Sequence, residues 1–348
     1  MSFQVNKKKE VTIAFIVITL LILFILNLYL GSVIIPFKEL KMLVFNYDSA
    51  KINVANIVLK TRLPQAITAA LAGAGLAVSG IQLQTLFRNP LADPSILGIS
   101  SGAGLGVAIL IMLSGSLTGF FIASIGWIGQ IAITLAAFSG ASIVLFLILN
   151  FARKINNNAI LLIIGIMIGF ASGAIIDILR FFSAKEEVYA YMIWGMGSFS
   201  NVSNDQMGFY ATMVIVGLIW SLLLIKPLNI MYLGENYGTN LGLNTRHVRF
   251  LILANTGLLT AVITAYCGPI SFIGLAVPHI ARGLMKTSNH GMLIPGTITI
   301  GASLALICNL IARMPAVDGT LPINSVTAII GAPVVVWVLM KKNKEMIY

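Results

Sequence analysis

Residues 61–106 read TRLPQAITAALAGAGLAVSGIQLQTLFRNPLADPSILGISSGAGLG, and the fold turns on them. An apolar run of small residues, Ala66 to Ile81, leads into a polar turn interrupted by proline, Gln82 to Pro94. A second small-residue run follows from Ile96 to Gly106. Gly73, Ala77 and Gly80 recur at helical spacing, so one face of the first run is nearly bare backbone. In lipid such faces let helices approach closely. Pro90 cannot continue a helix and pushes Asn89 out of the helical region, while Pro94, just after Asp93, suits the first turn of the next helix. Asn89, Pro90, Asp93 and Pro94 therefore mark a break between helices. Non-helical backbone at membrane depth is tolerated only when it is buried in protein or lines a wet cavity.

The composition carries this reading to the whole chain. Of 348 residues, 58% are hydrophobic and only 9% charged, against about 25% charged in soluble domains. Such a chain cannot cover a water-facing surface. Long apolar runs are abundant and alternating ten-residue strands are absent, so the expected class is an all-α polytopic membrane protein. Residues 1–348 read as a single membrane domain, without a soluble domain, low-complexity tract or clear repeat. Lys7 to Lys9 precede an apolar run from Val11 to about Ile35, too long for the roughly 7–15-residue core of a signal peptide. That run is expected to be a retained first helix. Cys267 and Cys308 are isolated in apolar segments and read as small core residues.

A span needs about 20 apolar residues. Ten are expected: 11–34, 64–84, 95–113, 123–150, 159–180, 207–225, 249–267, 270–285, 292–312 and 325–341. An even number puts both termini on one side. Fourteen of the 22 Lys and Arg residues then fall on the side of the termini and eight on the other. By the positive-inside rule both termini are cytoplasmic. The net charge of +11 is thereby explained by membrane topology, and nucleic acid is not an expected partner. Three connections exceed simple turns. Residues 35–63 are external and partly helical, 181–206 form a short surface helix with a re-entrant piece, and 226–248 are the longest cytoplasmic loop.

Chemistry is sparse. No Gly-Lys pair occurs, so no Walker A loop can cradle a phosphate and the chain is not expected to hydrolyse ATP. Asp177 is the only carboxylate well inside an expected span, with Arg180 three residues on. The two can pair on one helix face, or the acid can serve a pathway. His279 has no ligand partner at i+3 or i+4, so a hydrogen-bonded structural histidine is expected over a metal ligand. Pro278 is expected to break its helix. Glu235 to Leu241 can make two helical turns, with Gly242 as the stop.

The wording of three stretches goes further. RLPxxxxxxxxGAGLAxSGxxxQxxxRNPLADPxILGxSSGA, then GPISFIGLAVPHIAR at 268–282 and TAIIGAPVVVWVLM at 327–340, resemble the FecCD/BtuC-type permease subunits of ABC importers for iron-siderophores, haem and cobalamin. The resemblance runs over nearly the whole chain. It implies a permease in the bacterial inner membrane, working by alternating access as a dimer with a second copy or a paralogue. It also implies a pathway lined mainly by the fifth and tenth helices. ATP and magnesium would be held by a cytoplasmic ATPase subunit, with no cofactor on this chain. Glu235, Gly238, Leu241 and Gly242 match the family's ATPase-coupling segment, with Gly238 where alanine is commoner. Arg62 and Arg313 match the arginines that dock an extracytoplasmic substrate-binding protein. The pathway or broken-helix set comprises Asn89, Pro90, Asp93, Pro94, Pro278 and His279. Gln65 stands where the family has a second arginine, Asn309 where aspartate is common, and Thr320 where an acid is expected. Two rivals remain in other classes. An ion-coupled secondary transporter needs mid-membrane carboxylates, and Asp177 alone supplies one. A membrane enzyme needs a convergent acid, base or nucleophile set, and the three histidines lie near one edge without such neighbours.

Overall fold

A computed structural model describes residues 7–31, 35–36, 38–39, 42, 52–113, 126–155, 157–314 and 320–345. Residues 37, 40, 41 and 43–51 of the expected external connection 35–63, and the side chains of the terminal lysines, lie outside them. The described helices are α1 (Lys7–Tyr29), α2 (Ile52–Leu86), α3 (Ile99–Leu113), α4 (Gly126–Lys154), α5 (Asn158–Phe182), α6 (Lys185–Gly195), α7 (Asn204–Leu223), α8 (Ile225–Leu233), α9 (Glu235–Asn240), α10 (Thr245–Cys267), α11 (Ile273–Met285), α12 (His290–Ala312) and α13 (Ile323–Glu345). Seven are long and apolar enough to cross a membrane, and α3, α11 and α13 carry shorter apolar stretches. Together they fill the ten expected places.

Helix α2 is the centre of the bundle. It packs on α12, α10, α11 and α7, and 83% of its apolar window is buried, against 22% for α4, α5 and α7. The exposed side chains of those outer helices are mostly apolar. The small-residue face of α2 makes its position possible. A methyl at Gly73 would overlap the Gly301 carbonyl oxygen of α12, and one at Gly301 would come within 2.5 Å of the Gly73 carbonyl oxygen. Gly80 meets α11 instead, with its backbone against the Gly274 carbonyl. The second small-residue run repeats the device: Gly102 and Gly106 of α3 seat on Gly140 and Ala136 of α4.

Two prolines behave differently from their sequence expectation. Pro64, where the expected span 64–84 begins, does not start a helix. Helix α2 begins at Ile52 and runs through a π-helical turn, Val58–Arg62, where the Leu63 N–H donates to the Val58 carbonyl. The wider turn makes room for the proline ring, which would strike a carbonyl in a regular α-helix. Residues 52–62 therefore belong to the span and not to the external connection. Pro278 does not break its helix either: α11 runs through it. The break lies before, at Gly268 (φ 74°) and Phe272 (φ 69°). Pro278 lacks the N–H that a regular helix would offer the Gly274 carbonyl, and that oxygen sits against the Gly80 backbone, where C–H groups can meet it. The expected loop 226–248 is itself mostly helix, as α8 and α9.

One buried chain of amides joins α1, α2 and α12. Asn309 Nδ2 donates to Asn27 Oδ1 at 2.8 Å, and Gln65 Nε2 donates to Asn309 Oδ1 at 3.1 Å. Asn27 Nδ2 donates to the Leu23 and Leu306 carbonyls. Gln65 and Asn309 are two of the three departures from the permease pattern, and they bond one another. A neutral amide pair stands where the pattern's arginine and aspartate would place opposite charges.

Gly73→Val is expected to destabilise the protein by at least about 2 kcal/mol in detergent unfolding, because carbonyl oxygen cannot yield as a side chain does. Gly208→Ala, with nothing within 4 Å of the new methyl, is expected to be neutral or stabilising by up to about 1 kcal/mol. Asn309→Asp alone is expected to cost about 3 kcal/mol by burying an uncompensated charge. Adding Gln65→Arg should recover at least half of that, whereas simple additivity in the same unfolding assay would contradict the contact.

Candidate functional site

The polar residues gather at the two ends of the bundle. One end holds the expected coupling segment. Helix α9 starts after Gly234 (φ 126°) and stops at Gly242 (φ 80°). Leu243 N donates to the Gly238 carbonyl and Gly242 N to the Thr239 carbonyl, both at 2.9 Å, which closes a Schellman cap. Gly238 is buried against Ile230, Leu243 and Thr245. A methyl there would meet only side-chain atoms, the nearest at 3.3 Å, so the alanine common in the pattern is nearly accommodated. Leu233, Tyr237 and Leu241 stand out from the surface, Leu241 at 58% exposure. An apolar set of this kind is suited to a protein partner.

Glu235 does not join them. Its Oε1 accepts from Arg249 Nη2 of α10 at 2.7 Å and from Asn158 Nδ2 of α5 at 3.0 Å. Arg249 is buried, and its Nη1 donates to the Ile155 carbonyl at 2.8 Å. Asn158 Nδ2 also donates to the Leu86 carbonyl, at 3.0 Å. Sequence reasoning missed Arg249 and Asn158. Both lie outside the coupling motif, and fourteen residues and a turn separate Glu235 from Arg249, so no helical spacing links them.

The break after α2 lies at the same end. Arg88 (φ 49°) covers Gly234 and reaches toward the Tyr232 carbonyl. Asn89 Oδ1 accepts from Leu91 N, and Asp93 Oδ2 accepts from Ser95 N, capping the turn Pro94–Leu97. The buried Asp93 carboxyl is pushed above the ordinary carboxylate range by loss of solvent, while its Ser95 bonds oppose the shift. Asp93 and Pro94 pack on Gly274 of α11. His279 and Pro90 meet: His279 Nε2 lies 2.9 Å from the Pro90 carbonyl and so carries the proton. The structure thus brings together Asn89, Pro90, Asp93, Pro94 and His279, with Pro278 beside them in α11. His290, one of the three histidines expected near one edge, lies here too. It is buried at the start of α12, with Nδ1 donating to Asn229 Oδ1 at 2.9 Å and Nε2 2.8 Å from the Thr85 hydroxyl. Arg282 donates to Gln84 Oε1 at 2.7 Å, tying α11 to α2.

The opposite end holds the two expected docking arginines. They converge over Gly31, whose Cβ would lie 2.9 Å from Arg313 Nη2 and 3.1 Å from Arg62 Nη2. Arg62 is only 1% exposed, and its Nη1 donates to the Leu28 and Tyr29 carbonyls at 2.9 and 2.8 Å. It caps the open carbonyls at the end of α1 and is not a surface group in this conformation, since those carbonyls require donors. Arg313 is the more exposed of the pair. Burial, and then the neighbouring Arg62 charge, bring Arg313 down to about 10. A cavity of about 730 Å³ opens beside it, lined among others by Gln65, Tyr189, Trp194, Tyr266, Asn309 and Thr320. Helix α6 flanks this cavity. The segment after α6 is tucked in, with Phe199 fully buried, Ser198 N donating to the Cys267 carbonyl and Asn324 N to the Met196 carbonyl. Asp177 and Arg180 pair at 3.2 Å on α5, and the Arg180 guanidinium lies over the Tyr191 ring.

Comparison with known proteins identifies the family. The model of the FecCD transport family matches residues 19–341. The chain is 36% identical over 287 residues to the vitamin B12 import system permease protein BtuC of Escherichia coli O127:H6, covering 82% of this chain and 84% of that protein. It is 37% identical over 288 residues to BtuC of Salmonella paratyphi A, with the same coverage. A solved structure described as an inward-facing conformation of a metal-chelate type ABC transporter superposes with a TM-score of 0.81 at 28% identity, covering 94% of this chain and 98% of that one. The chain belongs to the FecCD transport family, as a multi-pass membrane permease of the ABC importers.

Proposed function

We propose that this permease moves an iron-siderophore complex across the bacterial inner membrane, as one of two permease copies in an importer. The observation that carries the importer mechanism is the outward-facing apolar surface of α9, set on a helix that Glu235 anchors into the bundle. The ATPase subunit docks there, through Tyr237 and Leu241, with Gly238 and Gly242 shaping the helix. ATP and magnesium are bound by that subunit, and this chain makes no covalent bond. The membrane domain is one unit, and both termini are cytoplasmic, consistent with the excess of Lys and Arg at the α9 end.

A substrate-binding protein docks at the opposite end. Two adjacent guanidiniums concentrate positive charge there and favour an acidic partner. Arg313 makes the contact and Arg62 supports it from behind. The pathway runs between the copies, along α5 and α13, whose exposed residues include Met167, Phe170, Ile329 and Trp337. Substrate passes by alternating access. The Asn89–Pro94 turn, with Pro278 and His279, moves at the cytoplasmic end. Cobalamin is the second reading of the substrate, supported by the vitamin B12 import function named for the relatives above.

The test is affinity purification of the tagged chain from its native membrane in mild detergent. An ATPase subunit is expected to co-purify, and Tyr237→Asp with Leu241→Asp should reduce its recovery at least about tenfold, since charges at an apolar contact are costly. Arg313→Glu should leave the ATPase in place and abolish stimulation of hydrolysis by the binding protein. The ligand carried by that binding protein names the substrate. Substrate uptake by the chain alone, without any ATPase, would favour the ion-coupled reading instead.

A further inference from the structure

One oxygen of the Glu235 carboxylate, Oε1, is turned into the bundle, while the side chain stays 30% exposed. Through its bonds to Arg249 and Asn158, this oxygen ties α9 to four other places: the second turn of α10, the first residue of α5, the connection between α4 and α5, and the last residue of α2. Both acceptors of the Asn158 amide are oxygens that cannot donate, so its orientation is fixed. Burial of the Arg249 guanidinium makes separation from its carboxylate costly, so the group holds together as a unit.

The ends of α9 are the opposite. Gly234 and Gly242 hold backbone at φ 126° and 80°, and Gly242 has no atom within 4 Å of where a side chain would start. Beyond its own cap, the packing of Gly238 on Ile230, Leu243 and Thr245, and Arg88 over Gly234, what ties this short helix to α5 and the body of α10 is the Glu235 side chain. We propose that Glu235, Arg249 and Asn158 form a rigid link that carries displacement of α9 to the α4–α5 connection, the start of α5 and the end of α2 together. Without the link, the glycine joints would absorb the same displacement. Arg249 and Asn158 are positioning residues. The transmission rests on the ATPase docking proposed above, but the link itself does not.

Two readouts separate these. In the permease alone, reconstituted in lipid nanodiscs, spin labels at Thr239→Cys and Ala159→Cys report the distance between α9 and α5. Cys267 and Cys308 are buried and should contribute little background. A narrow distance distribution is expected with native Arg249 and with Arg249→Lys, and a width at least about twofold greater with Arg249→Gln or Asn158→Leu. In the assembled importer, Arg249→Gln should retain its ATPase subunit and hydrolyse ATP within about twofold of native, while uptake per ATP falls about tenfold and Arg249→Lys restores most of it. An unbroadened distribution in both variants, or unchanged uptake per ATP, would overturn the link. Loss of the ATPase from Arg249→Gln would overturn it too, in favour of a docking role. Absence of an ATPase from the native preparation would strike the importer reading, and the spin-label distances would still judge the link.

Discussion

Lipid tails solvate a leucine face as well as another helix does, so helices in a bilayer associate through close packing and polar contact. That constraint governs this protein. Helix α2 can be surrounded only because Gly73, Ala77 and Gly80 let two neighbours bring their backbones against it. The same contact serves a second purpose at Gly80, where it receives the Gly274 carbonyl beneath Pro278. Close approach and backbone satisfaction are therefore one device, and it allows a proline inside α11 without a break.

Much of this was legible in the sequence. Glycine spacing is a local property, and it marked the packing faces of α2 and α3. The turn between Gln82 and Pro94 was legible because proline acts on its immediate neighbours. The stop at Gly242 was legible for the same reason. What stayed hidden depends on distance along the chain. Whether Pro64 and Pro278 start, break or enter a helix is settled by a π turn and by a facing glycine, neither of which a proline announces. The bonds of Glu235 to Arg249 and Asn158 cross between helices with no shared spacing. Arg62 read as an exposed cation at a helix end, and it is buried because the carbonyls of α1 end beside it. Gln65 and Asn309 read as separate departures, and their contact makes them one.

The two ends of the bundle divide the work chemically. At one end, positive charge is crowded and partly desolvated around Arg62 and Arg313, beside an open cavity. At the other, Glu235 is paired with the buried Arg249, while Arg282 and His290 are hydrogen-bonded to the amides of Gln84 and Asn229. The face that α9 presents there is apolar, through Leu233, Tyr237 and Leu241. A partner drawn by charge and a partner held by apolar contact are thus favoured at opposite ends, which suits an importer that receives cargo on one side and energy on the other. Between them the core is tightly packed.

The most direct measurement is electron cryomicroscopy of the permease with its ATPase subunit, with nucleotide trapped and with nucleotide absent. The account predicts that the ATPase sits on Tyr237 and Leu241 in both states. It also predicts that Glu235, Arg249 and Asn158 keep their bonds while α9 and the start of α5 shift together. An ATPase seated elsewhere, or an α9 that moves while Glu235 parts from Arg249 and α5 stays in place, would contradict it.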